Sequence, residues 1–227
     1  MNDFPYKQIE KKLGVTFNNK DLLLRAFTNG ALLAYIGDAV IECVVREYLV
    51  SHHPDHQPLF GICCDQLLSN EMFSQIMFDF DIVQYIGDFK KDNLSRAATK
   101  RLGTVFEAIV AIIFQEQGMP RIKEFLFQCL LIKASELIQK AWEVPTLRLA
   151  VICQRYFGRT PSYRQVKFGG KNKKYRCRVR LTVKGKFSVT GRGRNRDEAK
   201  KNAAENALQF FVKFSEIQAK MGFSLEK

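Results

Sequence analysis

LAYIGDAVIE, residues 33–42, reads as the front of a core helix, yet it carries a carboxylate, Asp38, inside its apolar run. The run continues through GDAVIECVVREYLVSHH, which extends the same helix. TVFEAIVAIIFQEQG, residues 104–118, poses the same problem: Glu107 sits in a second apolar helix that Gly118 should end. A carboxylate taken out of water is strongly disfavoured unless a partner or a metal compensates it. Two such carboxylates on facing helices form a natural Mg²⁺ site. Mg²⁺ prefers oxygen ligands, keeps several waters and borrows phosphate oxygens from a substrate. The ion can activate water and stabilise charge developing on a phosphodiester.

Working outward, residues 1–140 read as helical. FPYKQIEKKLGVTF is an amphipathic helix stopping near Gly14, and Asn18 or Asn19 caps the next, KDLLLRAFT. HHPDHQPLFG reads as a loop, DQLLSNEMFSQIMFDF as one helix, and RIKEFLFQCLLIKASELIQKA as a last amphipathic helix. WEVP marks a junction, so residues 141–144 are expected to be a linker. After it, PTLRLAVICQRYFG is a helix closed by Gly158. YRQVKF, YRCRVRLTV and KFSVTG read as strands, with a turn at Lys184–Gly185, and RDEAKKNAAENALQFFVKF returns to helix. The fold class is therefore α+β: an all-helical domain over 1–140, then an α-β-β-β-α domain over 145–213 and a tail over 214–227.

Charge divides along the same line. Residues 1–140 carry a net −2 and residues 141–227 a net +15. A small, strongly basic domain implies a polyanionic partner. The six cysteines form no CxxC pair and read as buried free thiols rather than a zinc site or disulfide framework. No apolar run is long enough to span a bilayer and no leader is evident, so an intracellular place, cytoplasm or nucleus, is expected, with no membrane partner. His52, His53 and His56 lie in a proline-rich loop without supporting cysteines and are not read as a metal site.

The basic domain resembles the double-stranded RNA-binding domain. QRYFGRTPSY is similar to its first-helix Gln and downstream Pro-x-Tyr, GKNKKYRCRVRL to its loop and second strand, and GRGRNRDEAKKNAAENAL to its G-x-G-x-S-K-K-x-A-K motif. The resemblance implies RNA contacts from Gln154, from the loop residues Lys171, Asn172 and Lys173, and from Arg196, Lys200 and Lys201 at the start of the last helix. That division suits A-form RNA, which is recognised by shape through minor-groove hydroxyls and flanking phosphates. Asp197, Lys173 and Ala150 depart from the residues usual at their positions.

The helical domain resembles the ribonuclease III family. IEKKLGVTFNNKDLLLRAFT, LAYIGDAV and TVFEAIVAIIFQEQG are similar to its opening motif, its L-E-F-L-G-D-A-V signature and its distal D-x-x-E-A motif, in the same order. Of the family's four acidic positions, the resemblance carries over Asp38 and Glu107 as catalytic metal ligands. Ala34 and Thr104 stand where the other two carboxylates would be, a pattern similar to the compact Mini-III branch. Thr104, three residues before Glu107, and Glu42, four after Asp38, are candidates to support the site from behind its ligands.

The resemblance implies an Mg²⁺-dependent endoribonuclease of double-stranded RNA, with Mn²⁺ as a substitute metal. Its role would be RNA processing or dicer-like production of small RNAs, leaving 5′-phosphates and short 3′ overhangs. One nuclease domain supplies one centre, so cutting both strands implies a homodimer with the signature helix at the contact, and Tyr35 belongs either to that contact or to the core. The alternative is a catalytically inactive RNA-binding scaffold or ribosome-associated protein. Loss of the two carboxylates favours the alternative, and retention of Asp38 and Glu107 favours the enzyme.

Overall fold

A computed structural model describes residues 4–166, 177–183 and 187–220, with strand positions 177–179, 181, 183 and 187 and helix residues 212–220 described by backbone alone. The chain divides into two compact units, residues 1–54 with 60–137 and residues 55–59 with 138–227.

The first unit is helical. It comprises α1 (Tyr6–Leu13), α2 (Lys20–Asn29), α3 (Ala31–His52), α4 (Phe60–Leu67), α5 (Asn70–Asp79) and α6 (Arg96–Cys129). The local chemistry sets the boundaries. Gly14 closes α1 at φ +64°, in the left-handed region that favours glycine. Asn19 rather than Asn18 caps α2, its Oδ1 accepting from the Leu22 amide at 3.1 Å. Ser69 and Ser95 cap α5 and α6 in the same way.

Helix α6 is the axis of the unit. Residues 105–113 are buried apart from Glu107, and α2, α3 and α5 pack around them. Phe106 lies against Phe73 of α5 at 5.0 Å between ring centroids. Together with Phe125, these rings are among the largest fully buried side chains. At Gly118 (φ +75°) the helix breaks, and helical turns then resume to Cys129.

Three expectations for the helical part differ from the structure. DQLLSNEMFSQIMFDF is two helices, because Ser69 prefers capping to continuing. The expected loop HHPDHQPLFG contains a 3₁₀ turn over Pro54–Leu59 and the start of α4, with Leu59 fully buried. The last amphipathic helix breaks at Leu130, passes a short 3₁₀ turn, and resumes as α7 (Ala134–Glu143). Leu130, whose φ of −121° is not helical, is buried together with Leu131 and Ala134.

The junction also differs. Residues 141–143 of the expected linker belong to α7, and only Val144 separates it from α8 (Pro145–Phe157). Pro145 disfavours helix at the residue before it and is well placed as the first residue of a new helix.

In the second unit α8 ends at Gly158 (φ +67°). Strands β1 (Ser162–Val166), β2 (Cys177–Val183) and β3 (Phe187–Gly193) form an antiparallel sheet in that order, followed by α9 (Arg196–Lys220). Leu149 and Cys153 of α8 pack with Ala203, Ala204, Ala207 and Leu208 of α9, and Tyr163 and Val189 close this core from the sheet. The alanines let α9 lie close. Gly191 and Gly193 let it touch β3, since a Cβ at Gly191 would stand 2.2 Å from the Ala199 carbonyl oxygen. The backbone of α9 continues to Lys220, so the expected tail at 214–227 is helical through residue 220. The Lys184–Gly185 turn falls outside the described residues.

Among the described residues no single helix is long and apolar enough to cross a membrane. Cys63, Cys64 and Cys153 are buried as expected, but Cys43 is exposed on α3. The histidines have aromatic neighbours: His52 stacks on Tyr48 at 4.2 Å, and His56 meets the edge of Trp142 at 5.8 Å.

Candidate active site and RNA-binding surface

The position of Asp38 has a geometric cause. Helix α3 has two apolar faces, not one. Ala34, Gly37, Ile41, Val44 and Val45 are buried. Leu32 and Tyr35 lie on the other side and are 81% and 83% exposed, beside the exposed Ile36, Ala39 and Cys43. Asp38 sits at the margin between the faces and is itself exposed. The apolar composition that suggested burial comes from a second, uncovered stripe. Of the two carboxylates only Glu107 is partly buried.

Glycine brings the two together. The Gly37 backbone lies directly on that of Glu107, where a Cβ would stand 1.8 Å from the Glu107 carbonyl oxygen. Seven residues earlier, a Cβ at Gly30 would meet the Ala108 side chain at 2.9 Å. These contacts press α3 onto α6 at the point where each carries its carboxylate. Burial, and next the charge of Asp38, push the Glu107 carboxyl up to about 7, while Lys100 pulls it down. Two carboxylates whose charges oppose each other in this way are suited to a shared cation.

The neighbours complete the site. Thr104 is partly buried one turn before Glu107 on α6, so it lies on the same side of the helix. Ala34 is buried one turn before Asp38. Glu42 is engaged elsewhere: Arg46 donates to its Oε1 from Nε at 2.9 Å and again from Nη2. Among the described residues no group of three or more His, Cys, Asp or Glu could hold a metal. Asp38 and Glu107 are the two carboxylates here that could hold a divalent cation between them, leaving positions for water and phosphate. The motif reading missed Lys100 and the role of Gly37. Lys100 could have been found from its spacing, one turn before Thr104 and two before Glu107.

In the basic unit, Asn195 starts α9. Its Oδ1 accepts from the Glu198 amide at 2.8 Å, while the Glu198 carboxylate accepts from the Arg194 amide at 2.7 Å. Arg196, Lys200 and Lys201 therefore occupy the first turns, where the helix dipole favours an anion. Arg196 and Lys201 are exposed, with Lys201 4.0 Å from Glu205. Lys200 is partly buried, its Nζ 5.9 Å from the centroid of Tyr163. Gln154 is partly buried in the last turn of α8. Lys171, Asn172 and Lys173 fall outside the described residues.

Comparison with known proteins matches this division. Residues 31–118 match the ribonuclease III domain, and residues 145–210 match the double-stranded RNA binding motif. The chain is 27% identical over 215 residues to Ribonuclease 3 of a Nitratiruptor species, covering 89% of this chain and 95% of that protein. It is 27% identical over 225 residues to Ribonuclease 3 of a Sulfurovum species, covering 94% and 100%. Among solved structures, the nuclease domain of ribonuclease III from Campylobacter jejuni aligns at 24% identity with a TM-score of 0.45, over 59% of this chain and 96% of that one. Residues 31–118 thus carry a ribonuclease III domain and residues 145–210 a double-stranded RNA binding motif, and over most of its length the chain is similar to proteins named Ribonuclease 3.

Proposed function

We propose that the chain is an Mg²⁺-dependent endoribonuclease that cuts double-stranded RNA, in RNA processing or dicer-like production of small RNAs. The observation that carries this reading is the pairing of Asp38 with Glu107 across the Gly37 contact. Asp38 and Glu107 would hold the metal. When bound, Mg²⁺ or Mn²⁺ would polarise the scissile phosphate and lower the pKa of a water. Thr104 would orient a water beside Glu107. Gly37 fixes the separation of the two helices and thereby of the carboxylates. Gln154, Arg196, Lys200 and Lys201 would hold the duplex, with Lys171, Asn172 and Lys173 contributing from the loop. Products would carry 5′-phosphates and short 3′ overhangs.

A homodimer supplies the second centre. The exposed stripe of Leu32, Tyr35, Ile36, Ala39 and Cys43 on α3 is apolar and continuous at helical spacing. A two-fold contact along it would be self-complementary and would cover the stripe without covering the core face. The exposed Asp38 borders that stripe, so the same contact would set two active sites near one axis.

The test compares a long RNA duplex, single-stranded RNA and a DNA duplex of the same sequence, each with Mg²⁺ or with EDTA. Discrete cleavage of the RNA duplex alone, abolished by EDTA, is expected. Duplex binding without cleavage in Mg²⁺ or Mn²⁺ would instead support the inactive scaffold.

A further inference from the structure

The sheet of the basic unit carries a second concentration of charge that the start of α9 does not use. Tyr163 and Val189 face the helical core, and Gly191 lies against α9. Strand alternation therefore directs Arg164, Arg180 and Arg192 to the other face, and all three are exposed. The register places them side by side: Arg164 pairs with Arg180, Arg180 with Thr190, and Arg178 with Arg192. Directly opposed residues in an antiparallel sheet stand about 5 Å apart at Cβ, and like charges so placed work against strand pairing. The strands bring no acid of their own to offset this, because residues 144–196 contain 16 Lys and Arg and not one Asp or Glu.

We propose that this outer face, centred on Arg164, Arg180 and Arg192, is a second binding site for the phosphate backbone of RNA. Three features favour RNA over an acidic protein. The cations are arginines, whose planar forks match phosphate oxygens two at a time. They are interspersed with the hydroxyls of Ser162, Thr182, Ser188 and Thr190, the side chains that join arginine in phosphate contacts. The face also lacks a large exposed aromatic or aliphatic anchor among its described residues, which a protein interface would centre on. The helices carrying Gln154, Arg196, Lys200 and Lys201 pack on the opposite face of the sheet, so one straight duplex cannot reach both sets. The chain would hold two RNA segments at once. This extends the RNA-binding reading above to a second surface.

The test counts short RNA duplexes bound per chain by sedimentation, using the full chain in EDTA to prevent cleavage. Wild type is expected to bind two equivalents per chain. Arg164→Gln/Arg180→Gln/Arg192→Gln should bind one, with the second weakened at least tenfold and its salt dependence reduced by about 2–3 in log–log slope. Arg196→Gln/Lys200→Gln/Lys201→Gln should also bind one, by the remaining face. The sheet variant should keep a cooperative thermal transition, which shows that its fold is intact. Arg164→Lys/Arg180→Lys/Arg192→Lys should regain the second equivalent with lower affinity, which separates lost charge from lost fold. A sheet variant that binds as many duplexes as wild type, with the same salt slope, would overturn the proposal and leave an acidic protein as the partner to seek. If the α9 variant also changed nothing, the assignment of RNA contacts to the start of α9 would fail as well, and wild type binding no duplex would overturn the RNA-binding reading itself.

Discussion

Gly37 of α3 touches Glu107 of α6 backbone to backbone, with room for no side chain: a Cβ would stand 1.8 Å from the Glu107 carbonyl oxygen. This contact sets the distance between the two candidate metal ligands, because Asp38 is the next residue. Gly37→Ala should therefore separate the helices or unfold the unit. A loss on the order of 3 kcal/mol is expected from urea unfolding, at the upper end for overpacking. Any folded fraction should cleave poorly while still binding RNA. Full stability and activity in this variant would show that the contact is not needed.

The raised Glu107 carboxyl predicts a pH dependence. Near pH 7 it exchanges a proton, and a divalent cation must displace that proton to bind. Mg²⁺ affinity and cleavage should fall as pH drops below about 7. Calorimetric Mg²⁺ titrations at pH 6 and 8 would show it; equal affinity at both would contradict it.

The same shift affects stability in the opposite sense. The folded, metal-free chain favours protonated Glu107, whose ordinary value is 4.5. That contribution is complete below pH 4.5 and is lost as pH rises through about 7. Glu107→Gln cannot lose it. In EDTA the variant should melt higher than wild type at pH 8, with the gap closing towards pH 5. A constant gap would mean that Glu107 is not strained by its surroundings.

Leu32 and Tyr35 are 81% and 83% exposed in the single chain, so replacing them leaves its core intact. Leu32→Glu/Tyr35→Glu should convert a dimer to a folded monomer in sedimentation. Cleavage of both strands should fall by about 10-fold or more relative to binding. A variant that remains dimeric would place the interface elsewhere.

Lys200→Gln and Lys201→Gln should each weaken duplex binding about equally for all sequences. Each should lower the salt slope by about 1. Sequence-dependent losses would argue for base contacts instead.

The sequence made the order of elements legible wherever local chemistry decides them. Gly14 and Gly158 ended helices as their left-handed tolerance predicts, and the alternation of YRCRVRLTV placed β2. The helix break at Leu130 was less legible, since apolar residues continue across it. Asp38 shows the deeper limit. An apolar helix looks alike whether it has one buried face or one buried and one uncovered, so composition alone gave the wrong exposure. The pairing of Asp38 with Glu107 was expected from motifs, but its cause, two backbones in contact at Gly37, belongs to packing. Glu42 looked available from spacing, and Arg46, four residues on, engages it instead.

The central claim is that two carboxylates suffice. The measurement that tests it most directly is single-turnover cleavage of one labelled RNA duplex in saturating Mg²⁺ by wild type, Asp38→Asn and Glu107→Gln, with duplex binding measured alongside. The account predicts discrete cleavage by wild type, loss of at least about 100-fold in either variant, and unchanged binding. Cleavage that survives both substitutions would contradict it, because the chemistry would then lie outside this pair.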